Sequence, residues 1–568
     1  MKPYLTINMK ALKLITCLCL IASIPAYGQK AVSETESITR NVTVEKAYDP
    51  TTIEVTKISP VPPKEEYTPE QPSVTYSTWS KAEEVSTTPD KLKAEQYENP
   101  ETADTKNGIF KAGLGFYWQV LGEFYYPILR GDKYLLDVNL KHLSNWSKIR
   151  LEDGSVPRAM TQNTSANVTF ESQFRDSRLN SALDFSYNGF DYYGKSTVPV
   201  INDPIKDTIG TYTTVGVNFN LFSTNTKKAF QYNTTLGYNY LGRNFGLSNH
   251  NILVKADLGG EVGNGELGAD IDIDTNIKGL TEESTNTYKS EAGCLISIMP
   301  YYKLIGKTWD LKIGGNLYIL AADSTKRPVT GSANIEGRFG LVPGLFHLYT
   351  GIKGSFVENT YPNIIKENPY IKPLLSLEPT YTPLNIALGM KVNIMQGLLF
   401  DLGFDYSLIL DQYYYVNDTI NGNYYNTFNV TYENTTNKVS VQAGLYFDYV
   451  KNLNISLVGK YNHWGVTDNE FAWQKPAWEI KLEASYIIKE KWQIGLSYNF
   501  LGERYARVGT EAIRMTDIHD LNVYVSYKAL DWLSVFANGK NLINIQADKY
   551  YGYRNFGING MIGATFSF

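Results

Sequence analysis

The chain ends in the stretch Phe556-Gly557-Ile558-Asn559-Gly560-Met561-Ile562-Gly563-Ala564-Thr565-Phe566-Ser567-Phe568. Its residues alternate between an apolar or small set (Phe556, Ile558, Gly560, Ile562, Ala564, Phe566 and Phe568) and a small or polar set with one methionine (Asn559, Met561, Gly563, Thr565 and Ser567). Successive side chains of a β-strand point to opposite faces, so this period of two predicts a strand with one apolar face. A last strand that finishes on an aromatic residue is typical of a transmembrane β-barrel, although a soluble sandwich strand can show the same alternation.

The same alternation recurs throughout the chain after Gly108. It is clearest in four segments, which run from Leu384 to Ile394, Phe400 to Leu408, Trp478 to Tyr486 and Trp492 to Tyr498. The longest of these have the nine to eleven residues that a tilted strand needs to cross a bilayer. The two tryptophans fall at opposite ends of their strands, as the aromatic girdles of a barrel require.

Turn signals of two kinds separate the strands. Short polar turns are predicted near Gly131, Ser177, Thr226, Asn264, Gly306, Gly344, Gly397, Lys451, Lys491 and Asp531, and longer loops alternate with them at Lys195–Gly210, Gln412–Glu433, Trp464–Lys475 and Glu503–Thr516. Short periplasmic turns and long extracellular loops are typical of outer-membrane barrels. Two strands for each short turn, plus the first and the last, predict an all-β fold, a transmembrane antiparallel β-barrel of about 22 strands (20–22).

Composition excludes several other classes of protein. The mature part of the 568-residue chain has no run of 18 apolar residues, so transmembrane helices are excluded. Aromatic residues make up 13% of the chain and include 43 tyrosines, the residue type that anchors proteins at bilayer interfaces. The net charge of −5 argues against a nucleic-acid partner, because phosphate binding needs clustered positive charge.

The N-terminal residues divide into two segments before the barrel at 108–568. Residues 1–28 are predicted to be a secretory signal peptide, with basic residues, an apolar core and a small-residue cleavage site. Residues 29–107 are rich in proline and charge, so we expect a periplasmic tail or lumen insert that has no core of its own. Cys294 is the only cysteine of the mature chain, which excludes an internal disulfide and a cysteine-based zinc site.

The closing residues carry a family resemblance. Asn541-Leu542, Lys549-Tyr550-Tyr551-Gly552-Tyr553-Arg554 and Phe566-Ser567-Phe568 together resemble the end of TonB-dependent receptors of Gram-negative outer membranes. The resemblance implies a 22-strand barrel in that membrane, contact with outer-membrane lipid, and insertion by the barrel-assembly machinery through Phe566 and Phe568. It is specific over the closing residues and architectural over 108–540.

The same family comparison bears on the tail. The receptors carry a folded plug larger than residues 29–107, and those residues do not match it, so we expect a barrel that lacks the plug domain. The piece from Ile38 to Tyr48 is similar to the short extended box that such receptors offer to TonB. Its Val42, Thr43 and Val44 are therefore a candidate TonB-contact stretch.

Charged residues on the polar faces of the strands are the candidate lumen residues. They are Asp270, Asp272, Asp274, Asp401, Asp405, Glu479, Lys481 and Glu483. The three aspartates at 270–274 invite a calcium interpretation, but isoleucines keep the strand alternation between them and set the carboxylates roughly 7 Å apart along one face. An acidic stripe on a wet inner wall is the favoured interpretation, and a role in selectivity is the alternative.

No motif predicts an enzyme, a cofactor or a metal site. The five histidines are scattered, and neither a Gly-x-Ser-x-Gly elbow nor an H-E-x-x-H pair occurs. Sequence spacing does leave open a Ser–His arrangement on adjacent strands. The tyrosines of Tyr413-Tyr414-Tyr415 and Tyr424-Tyr425 are interpreted as part of the interfacial belt or as a contact surface for glycans or a partner protein.

These observations support three functional hypotheses. The first is an outer-membrane barrel that acts in transport or as a component of an envelope complex. The second is an energised TonB-dependent importer of a ligand. The third is a non-transporting scaffold subunit that holds a periplasmic or outer-membrane protein partner.

Overall fold

The structure, a computed structural model, describes residues 108–195, 209–225, 230–244, 246–282, 287–322, 325–372, 375–420 and 423–568. The predicted signal peptide, the tail at 29–107, the stretch from Val42 to Val44 and the turn at Thr226 lie outside the described residues. The barrel begins at Ile109, one residue after the predicted boundary.

The described chain forms a closed antiparallel β-barrel of 22 strands, which confirms the predicted fold class and strand number. Its strands are β1 (Ile109–Gly115), β2 (Gln119–Arg130), β3 (Tyr134–Asn145), β4 (Thr161–Gln173), β5 (Ser177–Asp191), β6 (Ile209–Ser223), β7 (Phe230–Arg243), β8 (Leu247–Val262), β9 (Gly265–Glu282), β10 (Thr287–Ile305), β11 (Trp309–Ala322), β12 (Val329–Val342), β13 (Phe346–Val357), β14 (Thr380–Met395), β15 (Leu398–Ile420), β16 (Asn423–Phe447), β17 (Leu453–Gly465), β18 (Trp478–Ile488), β19 (Trp492–Gly502), β22 (Ile518–Leu530), β23 (Leu533–Lys540) and β26 (Asn559–Ser567). Two small hairpins lie in the loops: β20 (Tyr505–Val508) pairs with β21 (Glu511–Arg514), and β24 (Asp548–Tyr550) pairs with β25 (Tyr553–Arg554).

The first and last strands close the barrel. β1 pairs with β26 from Ile109 opposite Ser567 to Gly115 opposite Met561. Beyond this ladder, the backbone amide of Gly108 donates to the carbonyl of Phe568 over 2.7 Å. Because the barrel has no free edge here, every strand has two hydrogen-bonded neighbours, as a structure in hydrocarbon must. The final strand begins at Asn559, so Phe556 and Ile558 precede it instead of belonging to it.

Short turns mark one end of the barrel, and the long connections, such as those between β3 and β4 and between β13 and β14, lie at the other. The β14–β15 turn shows why glycine stands in such a position: Gly397 has φ +73, and a Cβ added there would meet the backbone of Tyr449 at 2.5 Å. The end with short turns is the periplasmic one, which places the long loops outside the cell.

The outer face of the wall is apolar. Ile562 is 71% exposed, and Leu267 and Leu388 are half exposed on the same face. Trp478 begins β18 at the loop end, whereas Trp492 begins β19 at the turn end, and the two are 45% and 44% exposed. This belt with aromatic residues at both borders places the protein in the outer membrane, in contact with lipid.

Two sequence predictions about the loops are wrong. Gln412–Glu433 is not an irregular loop, because β15 and β16 extend as a paired hairpin through it, with Gln412 opposite Glu433. Tyr414 and Tyr415 belong neither to the interfacial belt nor to an open contact surface, because they are 0% and 1% exposed. The side chains of Tyr424 and Tyr425 lie outside the described residues.

The one α-helix of the described residues is α1 (Tyr361–Glu367), in the β13–β14 loop. Pro362 stands in its first turn, where a missing amide hydrogen costs nothing. Tyr361, Ile364 and Ile365 form its buried face. No helix in the described part of the chain has the length and apolarity to cross a membrane.

A capped extracellular mouth as the candidate functional site

Loop segments from several sides of the barrel meet over its extracellular end. We call them the cap: residues 190–195 at the end of β5 and just after it, α1 with residues 368–372 and Leu375, the outer part of the β15–β16 hairpin (413–419 and 426–430), and residues 548–554 of the β23–β26 loop. Their shared apolar core, with the adjoining ends of β7 and β8, consists of Phe190, Tyr192, Leu241, Leu247, Tyr361, Ile364, Ile365, Tyr370, Ile371, Leu375, Tyr415, Phe428, Tyr550 and Tyr553. Each of these side chains is at most 9% exposed, so the cap has a buried apolar core of its own.

Hydrogen bonds join opposite sides of the barrel through the cap. β5 and β16 stand eleven places apart in the ring of 22 strands, which is half the circumference. Across this distance the amide of Asn426 donates to the carbonyl of Tyr192 over 2.7 Å. The hydroxyl of Tyr193 donates to the carbonyl of Arg554 over 3.0 Å. The cap therefore spans the mouth instead of lining its rim.

Backbone pairing fixes α1 and its following segment to the hairpin. Ile371 forms a parallel bridge with Phe428. The amide of Lys372 donates to the Phe428 carbonyl, and the Phe428 amide donates to the Tyr370 carbonyl, each over 3.0 Å. The ring of Tyr370 stacks on that of Tyr553, with 3.5 Å between centroids.

Arg243, at the extracellular end of β7, is the cation at the centre of the cap. It is 5% exposed, and its guanidinium donates to the hydroxyls of Tyr361 and Tyr192. It also donates to the carbonyl of Ile371 over 3.0 Å. Within the described ranges none of its partners is a carboxylate. A buried cation held only by neutral oxygens depends on all of them, because each one lost leaves charge unsolvated.

Glu367, at the C-terminal end of α1, ties three further segments together. Its carboxylate accepts the hydroxyl protons of Tyr413 (2.7 Å) and Tyr415 (2.9 Å) and pairs with Lys475 over 2.8 Å. Its backbone carbonyl accepts from the hydroxyl of Tyr550 over 2.7 Å. Burial raises the pKa of Glu367, but Lys475 and the two phenols outweigh burial and hold that pKa below its ordinary value.

Glu433 fastens the β17–β18 loop to the hairpin. It is fully buried, and its two oxygens accept backbone amide protons from Thr467 (2.6 Å), Asp468 (2.7 Å) and Asn469 (2.9 Å). The side chains of Thr467 and Asn469 donate to it as well, over 2.8 and 2.9 Å. Burial raises the pKa of Glu433, and these hydrogen bonds more than compensate, so that the net shift is downward.

A polar cavity of about 320 Å³ lies beside the cap, between the extracellular ends of β8–β11 and the β13–β14 loop. Asn249, Asn276, Lys278, Arg327, Glu358 and Asp411 are among the residues that line it. Arg327 pairs with Asp411 over 3.0 Å, whereas the one hydrogen bond that Glu358 accepts from a described residue comes from the amide of Asn276, over 3.0 Å. Burial, with the charge of Asp274 nearby, raises the pKa of Glu358 to about 7.

The charged residues predicted for the lumen lie on strands of the barrel, and each contacts a neighbouring side chain; that they face the lumen stays a prediction. On β9, Asp270 pairs with Lys312 (3.7 Å), Asp272 pairs with Lys255 (3.2 Å), and Asp274 accepts from Asn251 and Asn276. On β15, Asp401 pairs with Lys391 (3.7 Å) and accepts from Tyr349 (2.9 Å), and Asp405 accepts from Asn385 (2.5 Å) and Ser407 (3.0 Å). On β18, Glu479 accepts from Asn462 (2.7 Å), and Lys481 pairs with Glu483 (2.7 Å). The structure thus brings Asp270, Asp272 and Asp274 onto one strand, but each has different partners.

The two residues predicted to serve barrel insertion, Phe566 and Phe568, each contact other aromatic rings. Phe566 lies on the outer face of β26 and stacks on Phe110 and Trp532, each with 6.2 Å between centroids. Phe568 stacks on Tyr126 at 6.2 Å. Their role in barrel insertion stays a prediction, as does TonB contact through Val42, Thr43 and Val44, which lie outside the described residues.

Sequence reasoning missed Arg243, Glu367, Glu433 and Glu358 as parts of a site. The signals for the cap were the tyrosines at 413–415 and the closing Tyr550–Arg554 stretch, whose Tyr550 and Tyr553 are buried in its core. Nothing in either stretch indicates which distant residues it contacts, since the partners lie 46 to 361 positions away.

Comparison with known proteins identifies the fold. No protein-family model and no curated protein match the sequence. The pyoverdine outer membrane receptor FpvA from Pseudomonas aeruginosa PAO1 matches in structure with a TM-score of 0.62 at 12% identity, over 82% of this chain and 78% of that one. The siderophore receptor PirA from Acinetobacter baumannii matches with 0.62 at 12%, over 81% and 80%. The FrpB iron transporter from Neisseria meningitidis matches with 0.62 at 9%, over 82% of each chain.

These likenesses establish a common architecture. The chain has the 22-strand barrel fold of TonB-dependent receptors of Gram-negative outer membranes, as the closing residues predicted. The neighbours are named as receptors and transporters, not as enzymes. At 9–12% identity the agreement concerns the fold and not the ligand.

Proposed function

We propose that the protein is an outer-membrane transporter in which the cap is the outer gate. The observation that carries this proposal is the closure of the mouth from opposite sides, by Asn426 and Tyr192 among others. A barrel of 22 strands is too wide for its own side chains to fill, so its permeability depends on what covers its ends. A wide duct with a closed and internally bonded cover suits a conduit that opens for a ligand.

The solute that we propose is small, soluble and taken up from outside the cell. The structural neighbours are named for pyoverdine, siderophores and iron, and this supports a metal ion or metal chelate as the first ligand class to test. Glu367, Lys475 and the hydroxyl of Tyr413, which are only partly buried, offer both hydrogen-bond donors and acceptors to such a ligand.

Two alternatives remain as proposals of lower rank. An energised importer would engage TonB through residues 38–48, and co-purification with TonB that is lost when Val42, Thr43 and Val44 are replaced would favour it. A scaffold subunit would be isolated in native lipid as a stable complex with a partner protein and would conduct no solute.

The test measures solute flux with the cap intact and weakened. Proteoliposomes that carry the wild-type barrel should admit sugars of graded size slowly, whereas an Asn426→Ala, Arg243→Met double variant should admit them at least several-fold faster. Asn385→Ala, which removes an amide of the inner wall outside the cap, is the matched control and should behave as wild type. Equal flux through all three folded barrels, both with residues 30–105 present and with them deleted, would reject the gate and favour the scaffold.

A further inference from the structure

A hydrogen-bonded line of three side chains lies on the barrel wall outside the cap. It consists of Ser144, His142 and Thr164. Nε2 of His142 lies 3.1 Å from Oγ of Ser144, and Nδ1 of the same ring lies 2.8 Å from Oγ1 of Thr164. A hydroxyl within hydrogen-bond reach of an imidazole whose other nitrogen is held by a third group is the arrangement of an activated nucleophile. His142 and Ser144 are on β3, and Thr164 is directly opposite His142 on β4.

This line faces lipid and not the lumen. Leu140, two residues before His142 on the same face of β3, is 43% exposed, and Tyr134 of that face stacks on Phe170, which shares the outer face of β4 with Thr164. The alternate residues point inward, where Lys141 pairs with Glu123 over 3.1 Å. The pairing of β3 with β4 has no bulge, so the outer and inner faces do not exchange between Tyr134 and Ser144.

Ser144 lies at the height along the barrel wall where the ester groups of the outer leaflet are expected. Ser144 is ten residues beyond Tyr134, where β3 begins at the periplasmic end. Ten residues of tilted strand rise roughly 25 Å, which is the height of the apolar band of such barrels. Trp146 follows at 50% exposure, and tryptophan is the residue type of the membrane–water border. Ser144 therefore stands where acyl chains of the outer leaflet join their head groups.

Gln162 and Gly122 lie on the neighbouring strands beside Ser144 and His142. Gln162 is directly opposite Ser144 on β4, and its amide has no hydrogen-bond partner among the described residues. Gly122 is directly opposite His142 on β2, and a Cβ added there would contact nothing within 4 Å, so an open groove runs beside the imidazole. Ser144 itself is 3% exposed, which means that side chains beside it must part before a carbonyl carbon reaches its oxygen.

We propose that Ser144, His142, Thr164 and Gln162 form a hydrolytic site for acyl esters of outer-leaflet membrane lipids. Oγ of Ser144 attacks the ester carbonyl while Nε2 of His142 takes the hydroxyl proton, and the amide of Gln162 donates to the developing oxyanion. The C–O bond to the lipid alcohol then breaks, and the alcohol oxygen takes the proton back from His142. A water molecule, deprotonated by His142, cleaves the acyl-serine, which releases the fatty acid and regenerates the hydroxyl.

Thr164 is a positioning residue in this scheme. Its oxygen accepts the proton of Nδ1, which leaves Nε2 as the base toward Ser144. The activity goes beyond transport and departs from the sequence-based expectation that the chain is not an enzyme.

The test uses the full-length protein in phosphatidylcholine vesicles. A fluorophosphonate probe should label the wild type covalently, mass spectrometry should locate the label on Ser144, and the vesicles should release fatty acid. Ser144→Ala and His142→Phe should each lower both signals at least 100-fold. Ser172→Ala, which removes another buried hydroxyl of the outer face of β4 near its periplasmic end, is the matched control and should keep both.

Further variants separate catalysis from structure. Thr164→Val should lower the rate and shift the acid limb of the pH–rate profile, which a merely structural threonine would not move. Gly122→Trp should fill the groove and abolish lipid hydrolysis while a small fluorophosphonate still labels. Ser144→Ala should leave the flux through the cap unchanged, so the two functions can fail separately. Folded wild-type barrel that neither takes the label nor releases fatty acid would overturn the proposal.

Discussion

The amide of Asn426 lies 2.7 Å from the backbone carbonyl of Tyr192, although their strands stand on opposite sides of the barrel. The carbonyl of Asn426 in turn accepts from the hydroxyl of Tyr553 over 2.5 Å. One residue therefore links the hairpin to both the β5 end and the C-terminal loop. These hydrogen bonds add to the buried apolar core that holds the cap together.

Asn426→Ala should loosen the cap without unfolding the barrel. It leaves the Tyr192 carbonyl buried and unpaired, at a cost of about 1–3 kcal/mol. Amide hydrogen exchange in 361–372 should accelerate by roughly ten- to a hundredfold, which is the same free energy expressed as an opening equilibrium. Exchange in the β3–β4 ladder should stay unchanged, and Asn385→Ala should affect neither region.

The stability of the cap should depend on pH through Glu358. Burial raises its pKa to about 7 from an ordinary value of 4.5, so between these values the closed protein binds a proton that the opened, solvated residue does not. The free energy of opening should therefore fall as pH rises from about 4.5 to about 7 and level off above. Glu358→Gln should remove this slope in hydrogen exchange of the segment 358–361. A slope that persists in the variant would assign it to another group.

Glu433 should have the opposite pH dependence. Its pKa is lowered in the folded protein, so its contribution is present above the ordinary value of 4.5 and is lost as pH falls through the folded pKa. Pepsin should cleave within 466–477 only at the acid end of its range in the wild type. In Glu433→Gln, where an amide replaces the acceptor of five hydrogen bonds at a cost on the order of 3 kcal/mol, the same cleavage should begin at higher pH.

The wall was predictable from the sequence because lipid on one side and water on the other impose a period of two on every strand. The turns near Gly344, Gly397 and Lys491 follow from the same pattern. Above the membrane that contrast disappears. Tyr414 and Tyr415 point to opposite faces of the hairpin and are both buried. The sequence here therefore lacks the alternation of apolar and polar residues that would predict a strand.

The cap was not predictable for a related reason. Its contacts join residues far apart in the chain, such as Arg243 and Tyr361, and no local periodicity encodes such a pairing. Likewise, the spacing of His142 and Ser144 is an ordinary strand spacing. Only the register of β3 against β4 brings Thr164 to the other ring nitrogen.

The assignment of faces can be tested on β19. Leu496 shares the face of the half-exposed Trp492, whereas Ser497 accepts a hydrogen bond from Asn522 over 3.3 Å on the other face. Leu496→Arg should cost on the order of 2–4 kcal/mol in a folding assay on lipid vesicles, since a charge near mid-bilayer must be desolvated. Ser497→Arg should cost far less. Equal tolerance of the two substitutions would refute the assignment of faces.

The last prediction concerns two barriers in series. The cap covers the extracellular end of the barrel, and we expect residues 29–107 to occupy part of the lumen, since their prolines favour an extended chain and their charge suits a wet interior. Four proteins separate the barriers in planar bilayers: the wild type, the Asn426→Ala, Arg243→Met variant, a deletion of residues 30–105 behind the intact signal peptide, and the combination. Resistances in series add, so the cap variant should raise the conductance several-fold, the deletion alone should raise it less, and the combination should raise it by more than the two single effects together. If the deletion changes nothing in either background while the barrel stays folded, the tail lies outside the lumen and is free to bind a periplasmic partner. If the cap variant alone reaches the conductance of the combination, the cap is the whole barrier.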